Sequence, residues 1–318
     1  MRVLMFGRGV IATVYGWALE RAGHDVEFYV RPGRAAAYGG AVDLDLFDLR
    51  RRRVRGERVV RRWPVRFREE LTPDHDFDLV VLSVPHHRLT AAADFLAPRL
   101  GNATALVFGN TWAEPATAVG SLPADRVAWG FPQAGGGFGA DGVLRGMLLR
   151  SVVFGTFGTP PTERERAVRE AFRTAGFRLR EEPDFRGWLW LHFAADAGLH
   201  SQGLRVGSLA GLIGARHDLR EAHLAVRELL PLVAARGVDL RRHRAGVLPY
   251  RAPAWLTATA LAWLLDHVPP VRANFAAHAD PAAEEPRVIC RDALAEARRL
   301  GVPVPRLAAA EPEFALDG

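Results

Sequence analysis

Two groups of residues have the types and spacing to do chemistry. The first is Gly7-Arg8-Gly9-Val10-Ile11-Ala12, the G-x-G-x-x-A form of a dinucleotide-binding loop. In such a loop the first glycine permits a tight turn. The second lets the backbone approach a pyrophosphate, and a small third residue lets the helix close on its strand. A helix starting at Val10 would point free N–H groups and a positive dipole end at the phosphates. The plainer alternative is a glycine turn with no ligand. The second group is His192, Asp196 and His200, spaced i, i+4, i+8 on one helix face. Carbonyl reduction needs a proton donor beside the oxygen that becomes an alkoxide. An imidazole titrates at about pH 6.5 in water, and a carboxylate one turn away favours its charged form or holds its tautomer. The same three residues could simply line a polar cleft. As metal ligands they are poorly spaced, because two helical turns separate the outer pair by roughly 12 Å. No metal is expected.

These residues need elements to hold them. Residues 2–6 read as a buried strand, Val10 to Ala22 as a helix stopped by Gly23, and His24 to Val30 as a second strand. The glycine loop thus sits inside a β-α-β unit, the context that gives the motif meaning. Residues 41–68 read as an irregular β excursion. Strands are expected at 78–84, 103–108, 126–130, 150–155 and 177–180, with helices at 89–100 and 161–175. After about residue 184 only helical patterns remain, near 186–202, 217–236, 253–267, 270–279 and 285–300. The expectation is an α/β Rossmann dinucleotide-binding domain over residues 1–184 and an all-helical domain over 185–318. Trp188, Trp190, Trp255 and Trp263 fall at apolar helical positions and are expected in the core. The apolar 253–265 helix is also a candidate interface, and a homodimer is one partner arrangement this allows.

The second strand ends Val30-Arg31-Pro32-Gly33-Arg34. NAD sites usually carry Asp or Glu there, to hold ribose hydroxyls. Here Glu27 comes too early. Arg31 and Arg34, with Arg8 as a third cation, suit a 2′-phosphate, so the expected cofactor is NADP(H). Ser83 and Val84 end another strand, where cofactor contacts are common in this fold. His86 and His87 follow them, as a further contact or an exposed loop. Gly130 to Phe138 reads as a flexible segment that either borders the substrate or is a plain hairpin.

All 42 cationic side chains among the 318 residues are Arg, so a Schiff-base or general-acid lysine is excluded. Net charge is +6. Much of it lies in Arg50-Arg51-Arg52-Arg53-Val54-Arg55 and Arg61-Arg62. A nucleic-acid patch is one reading of that run, but interspersed valines and the lack of aromatic interleaving favour a solvated strand pair. No apolar stretch reaches the ~20 residues of a membrane span, and no signal peptide is apparent. The single cysteine, Cys290, has no partner and no basic neighbour in sequence, so it reads as packing. A cytoplasmic location is expected.

With these residues in view, the chain resembles the ketopantoate reductase family over most of its length. The glycine loop and Arg31 come first. Phe108-Gly109-Asn110 stands where the family has His-Asn-Gly. Leu189-Trp190-Leu191-His192-Phe193-Ala194 stands where the family has Leu-Trp-x-Lys-Leu-Ala. Glu285 precedes Gly301-Val302-Pro303-Val304-Pro305 by sixteen residues, matching a family Glu and a Gly-x-x-Val-Pro ending. The resemblance implies a Rossmann domain followed by a helical domain, as in 6-phosphogluconate-dehydrogenase-like folds. It implies NADPH-dependent reduction of a 2-keto acid. It places Asn110 near nicotinamide and substrate, and Glu285 on a substrate hydroxyl. The chain departs at the catalytic lysine, which is His192, and at an Asn one turn later, which is Asp196. His200 is the next polar position on that face. A family Ser falls near Ala273, with Asn274 beside it. The departures point away from ketopantoate itself. Two further readings stay open: a non-redox cyclase or isomerase on the same fold, and a non-catalytic NADPH-binding protein.

Overall fold

Strand β1 (Arg2–Phe6) buries Val3, Leu4 and Met5 completely, as a parallel strand covered on both faces must. The computed structural model describes residues 1–51 and 56–315, and the chain divides into two units, Met1–Phe185 and Arg186–Gly318. In the first unit β1 leads through helix α1 (Val10–Glu20) to β2 (Asp25–Tyr29). There follow α2 (Ala35–Tyr38), β3 (Ala41–Asp48), β4 (Glu57–Pro64) and β5 (Phe67–Arg68). Then come β6 (Leu79–Leu82), α3 (Leu89–Leu96), β7 (Thr104–Phe108) and α4 (Pro115–Ala118). The unit continues with β8 (Val127–Phe131), β9 (Ala134–Phe138), β10 (Leu144–Leu148), β11 (Ser151–Gly155), α5 (Glu163–Thr174) and β12 (Arg178–Glu182).

Eight strands form one sheet in the order β12-β11-β8-β7-β6-β1-β2-β5. β2, β1, β6, β7 and β8 run parallel, while β11 is antiparallel to β8. The chain moves outward from β1 to β2, then returns to the other side of β1 at β6. That reversal leaves a crevice at the carboxyl ends of β1 and β6, the place where open α/β sheets bind ligands.

Residues 41–68, expected to be irregular, are mostly regular. β3 and β4 pair antiparallel over eight residues, and β3 joins β10 and β9 in a second sheet of order β4-β3-β10-β9. The segment after Gly130, expected to be flexible or a hairpin, supplies β9, the first strand of an antiparallel pair with β10. Val42, Leu44 and Leu46 alternate inward along β3, with Asp43 and Asp45 between them, the period-2 pattern of a half-buried strand. Arg52, Arg53, Val54 and Arg55 of the basic run lie outside the described residues. Arg58 and Arg62 on β4 pair with Asp45 and Asp43 across the strands.

α1 packs into the same core as both sheets and buries every residue from Ala12 to Leu19. A helix enclosed all round must be apolar all round, and this one carries no charge between Val10 and Leu19. The helix expected over 89–100 ends at Leu96, and a 3₁₀ turn containing Pro98 follows. Pro98 has no N–H to continue the helical bonding.

The second unit is helical. α6 (Phe185–Arg205) starts at the boundary, followed by α7 (Arg216–Ala235), α8 (Arg244–Arg251), α9 (Ala254–His267), α10 (Pro269–Ala277), α11 (Glu284–Leu300) and α12 (Pro305–Ala309). The sequence reading had anticipated neither α8 nor α12. A Cβ on Gly198 would lie 2.6 Å from the Val226 nitrogen, so only glycine lets α6 and α7 meet backbone to backbone. Trp190 is buried as expected, but Trp255 and Trp263 are 64% and 55% exposed. α9 instead buries Ala254, Ala258, Ala262 and Leu265. It is apolar on every face, so periodicity could not choose which face turns inward.

Candidate functional site

In the first unit the glycine loop follows from β1. Gly7 takes φ +93°, a left-handed conformation that side chains disfavour, and its N–H bonds the Tyr29 carbonyl at 2.9 Å. Gly9 precedes α1 in an extended conformation, with no side chain capping the helix and no acidic residue in its first turn. A Cβ at Gly7 or Gly9 would meet nothing within 4 Å. The loop therefore faces open space, with the first-turn N–H groups of Val10, Ile11 and Ala12 at its rim. Ala12 is buried, as expected of the third motif position. The tightest helix–sheet approach lies one turn on at Gly16, where a Cβ would come 2.9 Å from Phe28 Cζ and 3.2 Å from Met5 Cγ.

Arg8 lies between two rings, 4.8 Å from the Tyr38 centroid and 4.5 Å from that of Phe138. Burial pulls its pKa below the usual arginine value, and its Nε is buried without a hydrogen-bond partner. Arg31 and Arg34 stand exposed after β2. Arg34 Nη2 bonds the Tyr38 hydroxyl at 3.5 Å. A residue that the sequence reading missed organises this turn. Glu69, just after β5, accepts the Ala35 N–H at 2.7 Å. Hydrogen bonds from Ala35, Gly33 and Arg34 backbones hold its carboxyl below the usual range. Only the pairing of β5 with β2 brings it there.

Next to β1, Ser83 and Val84 follow β6. The Ser83 hydroxyl is buried without a hydrogen-bond partner. Gly109 and Asn110 follow the neighbouring β7, where Asn110 Oδ1 accepts the Thr111 N–H at 3.1 Å. His86 and His87, half-buried in a 3₁₀ turn, meet edge to face at 5.4 Å. Two buried polar atoms, Arg8 Nε and Ser83 Oγ, thus flank the switch point of the sheet. A buried polar atom with no partner costs about 1–3 kcal/mol, so a ligand that bonds to such atoms binds with that much in its favour. These residues fit a dinucleotide.

In the second unit α6 carries the expected triplet. His192 Nε2 stands 3.5 Å from Asp196 Oδ2. The His192 ring stacks on Trp188, 5.3 Å between centroids and 10° from parallel. That stack limits the ring's rotation and leaves its edge for bonding. His200, one turn further, is pushed down to about 4, by burial first, with the Asp196 charge opposing and His278 reinforcing. It is neutral at physiological pH. Asp196 is the electrostatic centre of this region. Its charge also adds to burial in pushing Tyr250 up to about 12 and in raising the Cys290 thiol. Cys290 donates to the Ala197 carbonyl at 3.5 Å.

Asn274, on α10, keeps its Oδ1 buried without a partner. Its backbone carbonyl accepts from His278 Nδ1 at 2.7 Å. A carbonyl only accepts, so Nδ1 carries the proton in that bond. His278 lies beyond α10 in a segment with no periodic pattern, so no sequence signal singled it out. Glu285 is exposed in the first turn of α11. Among the described residues, no three His, Cys, Asp or Glu side chains are grouped to hold a metal ion.

Residues 3–158 match the model of the family described as ketopantoate reductase PanE/ApbA. The 2-dehydropantoate 2-reductase from Geobacter metallireducens GS-15 aligns over 99% of each chain, with 17% identity and a TM-score of 0.68. The PanE/ApbA family ketopantoate reductase from Ralstonia eutropha JMP134 covers 99% of this chain and 97% of its own, with 20% identity and a TM-score of 0.65. A ketopantoate reductase from Staphylococcus aureus, described as dimeric, covers 99% of this chain and 97% of its own, with 14% identity and a TM-score of 0.59. At these identities the likeness is one of fold: a mixed α/β sheet region followed by helices. No curated protein matches the chain.

Proposed function

This chain belongs to the ketopantoate reductase PanE/ApbA family, and on that premise we propose that it is an NADPH-dependent reductase of a small carbonyl compound, a 2-keto acid or a near relative. The observation that carries the cofactor half is the open glycine loop with Arg8 Nε and Ser83 Oγ unpartnered at the switch point. The N–H groups of Val10, Ile11 and Ala12 would hold the pyrophosphate, and Gly7 and Gly9 keep the approach clear. Arg31 and Arg34 would hold the 2′-phosphate, on a turn that Glu69 fixes from behind. Ser83, Val84 and Asn110 border the nicotinamide end. NADPH held there would supply a hydride for a carbonyl carbon.

The alkoxide oxygen then needs a proton, and this chain has no lysine to give one. His192 gives it. Its ring is set by Trp188 and by Asp196, which orient the imidazole for proton donation. His200, kept neutral by burial, offers a hydrogen bond rather than a charge to the substrate. Asn274 and Glu285 take substrate polar groups. Replacing the family lysine by a histidine paired with Asp196 favours a carbonyl substrate other than ketopantoate.

The test is NADPH oxidation at 340 nm across a panel of branched 2-keto acids, other keto acids and simple aldehydes. One NADPH consumed per alcohol formed supports the reductase. Tight NADPH binding with no carbonyl turned over would leave a nucleotide-binding protein. Product formed without NADPH consumption would mark a non-redox enzyme.

A further inference from the structure

α9 exposes an apolar face that the proposed chemistry does not use. Trp255, Leu256, Trp263 and Leu264 all stand in solvent, and no charged residue occurs from Ala252 to Leu265. Contiguous exposed apolar surface of this kind marks an interaction site. The helix spans 14 residues, about 21 Å, too short to cross a bilayer.

Two rows of side chains run along the face at i, i+4 spacing. One is Trp255, Thr259, Trp263; the other is Leu256, Ala260, Leu264. Both rows read large, small, large. Turned end for end about a point between Thr259 and Ala260, the pattern is complementary to itself. Trp255 then meets Leu264 of a second copy, Leu256 meets Trp263, and Thr259 meets Ala260. Small residues at the crossing let the backbones approach, while the large ones interdigitate on either side. We propose that this face is the core of a two-fold homodimer in which α9 packs antiparallel against α9 of a second copy of this chain.

Charge favours the same arrangement. Arg251 bounds the face at one end and Asp266 at the other. Arg251 is exposed and makes no ion pair among the described residues, and Asp266 reaches Arg272 only at 4.0 Å. Antiparallel packing brings each Arg251 toward the other copy's Asp266, twice by symmetry. Parallel packing would oppose like charges at both ends.

The face is also prepared for burial. The Thr259 hydroxyl already donates to the Trp255 carbonyl at 2.8 Å, so closing the interface strands no polar group there. Trp263 is held by His267, which stacks on it at 4.8 Å and donates from Nδ1 to its carbonyl at 2.9 Å. An anchor fixed beforehand loses little side-chain freedom on binding.

Sedimentation velocity on the full chain tests this. The wild type is expected at twice 34.9 kDa at micromolar concentration. A Trp255→Glu/Trp263→Glu double variant should weaken the dimer at least about 100-fold, as loss of two central aromatic anchors does, with circular dichroism and Tm unchanged. Arg251→Asp alone should weaken it roughly three- to tenfold, and Arg251→Asp with Asp266→Arg should restore it. A wild type still monomeric at about 100 µM, well above the Kd of a specific interface, overturns the proposal. So does a dimer indifferent to both Trp→Glu changes and charge reversal. Co-sedimentation of a monomer with phosphatidylserine-containing vesicles, abolished by the Trp→Glu changes, would assign the face to a membrane surface and also overturn it.

Discussion

At the carboxyl ends of β1 and β6, the groups left open are backbone N–H groups and two buried side-chain atoms. On α6 every candidate is a titratable side chain, tied electrostatically to Asp196. On the proposed function, the first region would bind through the shape of its backbone, tolerating change at neighbouring side chains but not in the glycines. The second would work through protonation states, so one substitution there would rewrite its chemistry while the helix stays intact. On that reading a cofactor loop can persist while the proton donor beside it changes.

The largest expected effect tests the second region. His192→Ala should lower turnover about 10²–10⁴-fold, the usual loss for a general acid, with NADPH affinity retained. Unchanged steady-state turnover would remove His192 from the chemistry. Gly9→Asp tests the first region from the opposite side. Its φ of −73° suits any residue, and α1 has no side-chain cap, so an aspartate there should cap the helix and raise Tm slightly. The same carboxylate would face the pyrophosphate and weaken NADPH binding about 100-fold or more, read by fluorescence titration. A variant that binds as tightly as wild type would show that the phosphates lie elsewhere.

Arg31→Ala with Arg34→Ala should cost about 10–50-fold in NADPH affinity and leave NADH nearly unaffected, since only NADPH carries the 2′-phosphate. Equal losses for both nucleotides would refute that assignment. The smallest effect concerns stability. His200 titrates at about 4 when folded and about 6.5 when unfolded. The unfolded chain therefore binds this proton more readily between those values, and folding stability falls as pH drops from about 6.5 to about 4. The full loss is at most about 3–4 kcal/mol, at about 1.36 kcal/mol per pKa unit. Urea unfolding of wild type and His200→Asn over that range should show a gentler decline in the variant. Parallel curves would mean that the imidazole is not desolvated.

Much of the first region was legible in the chain. Gly7, Gly9 and Gly23 punctuate a β-α-β unit whose apolar periods are clear, because each rule is local in sequence. Glu69 was not legible, since it reaches the Arg31–Arg34 turn only through the β5–β2 pairing. In the second region, spacing alone placed His192, Asp196 and His200 on one face. It could not say that Trp188 stacks on His192 or that burial keeps His200 neutral. His278 enters only because the chain after α10 bonds back to Asn274.

The sequence by itself determined the order of the parallel strands and of most helices, the glycine turn and the helical triplet. These follow from steric limits and hydrophobic periods a few residues long. Tertiary structure alone decided the second sheet, the carboxylate behind the arginine turn and the outward face of α9. The first two depend on strand pairing between distant residues. The third depends on which face of a uniformly apolar helix finds small residues close enough to pack, and Ala258 and Ala262 turned Trp255 and Trp263 outward.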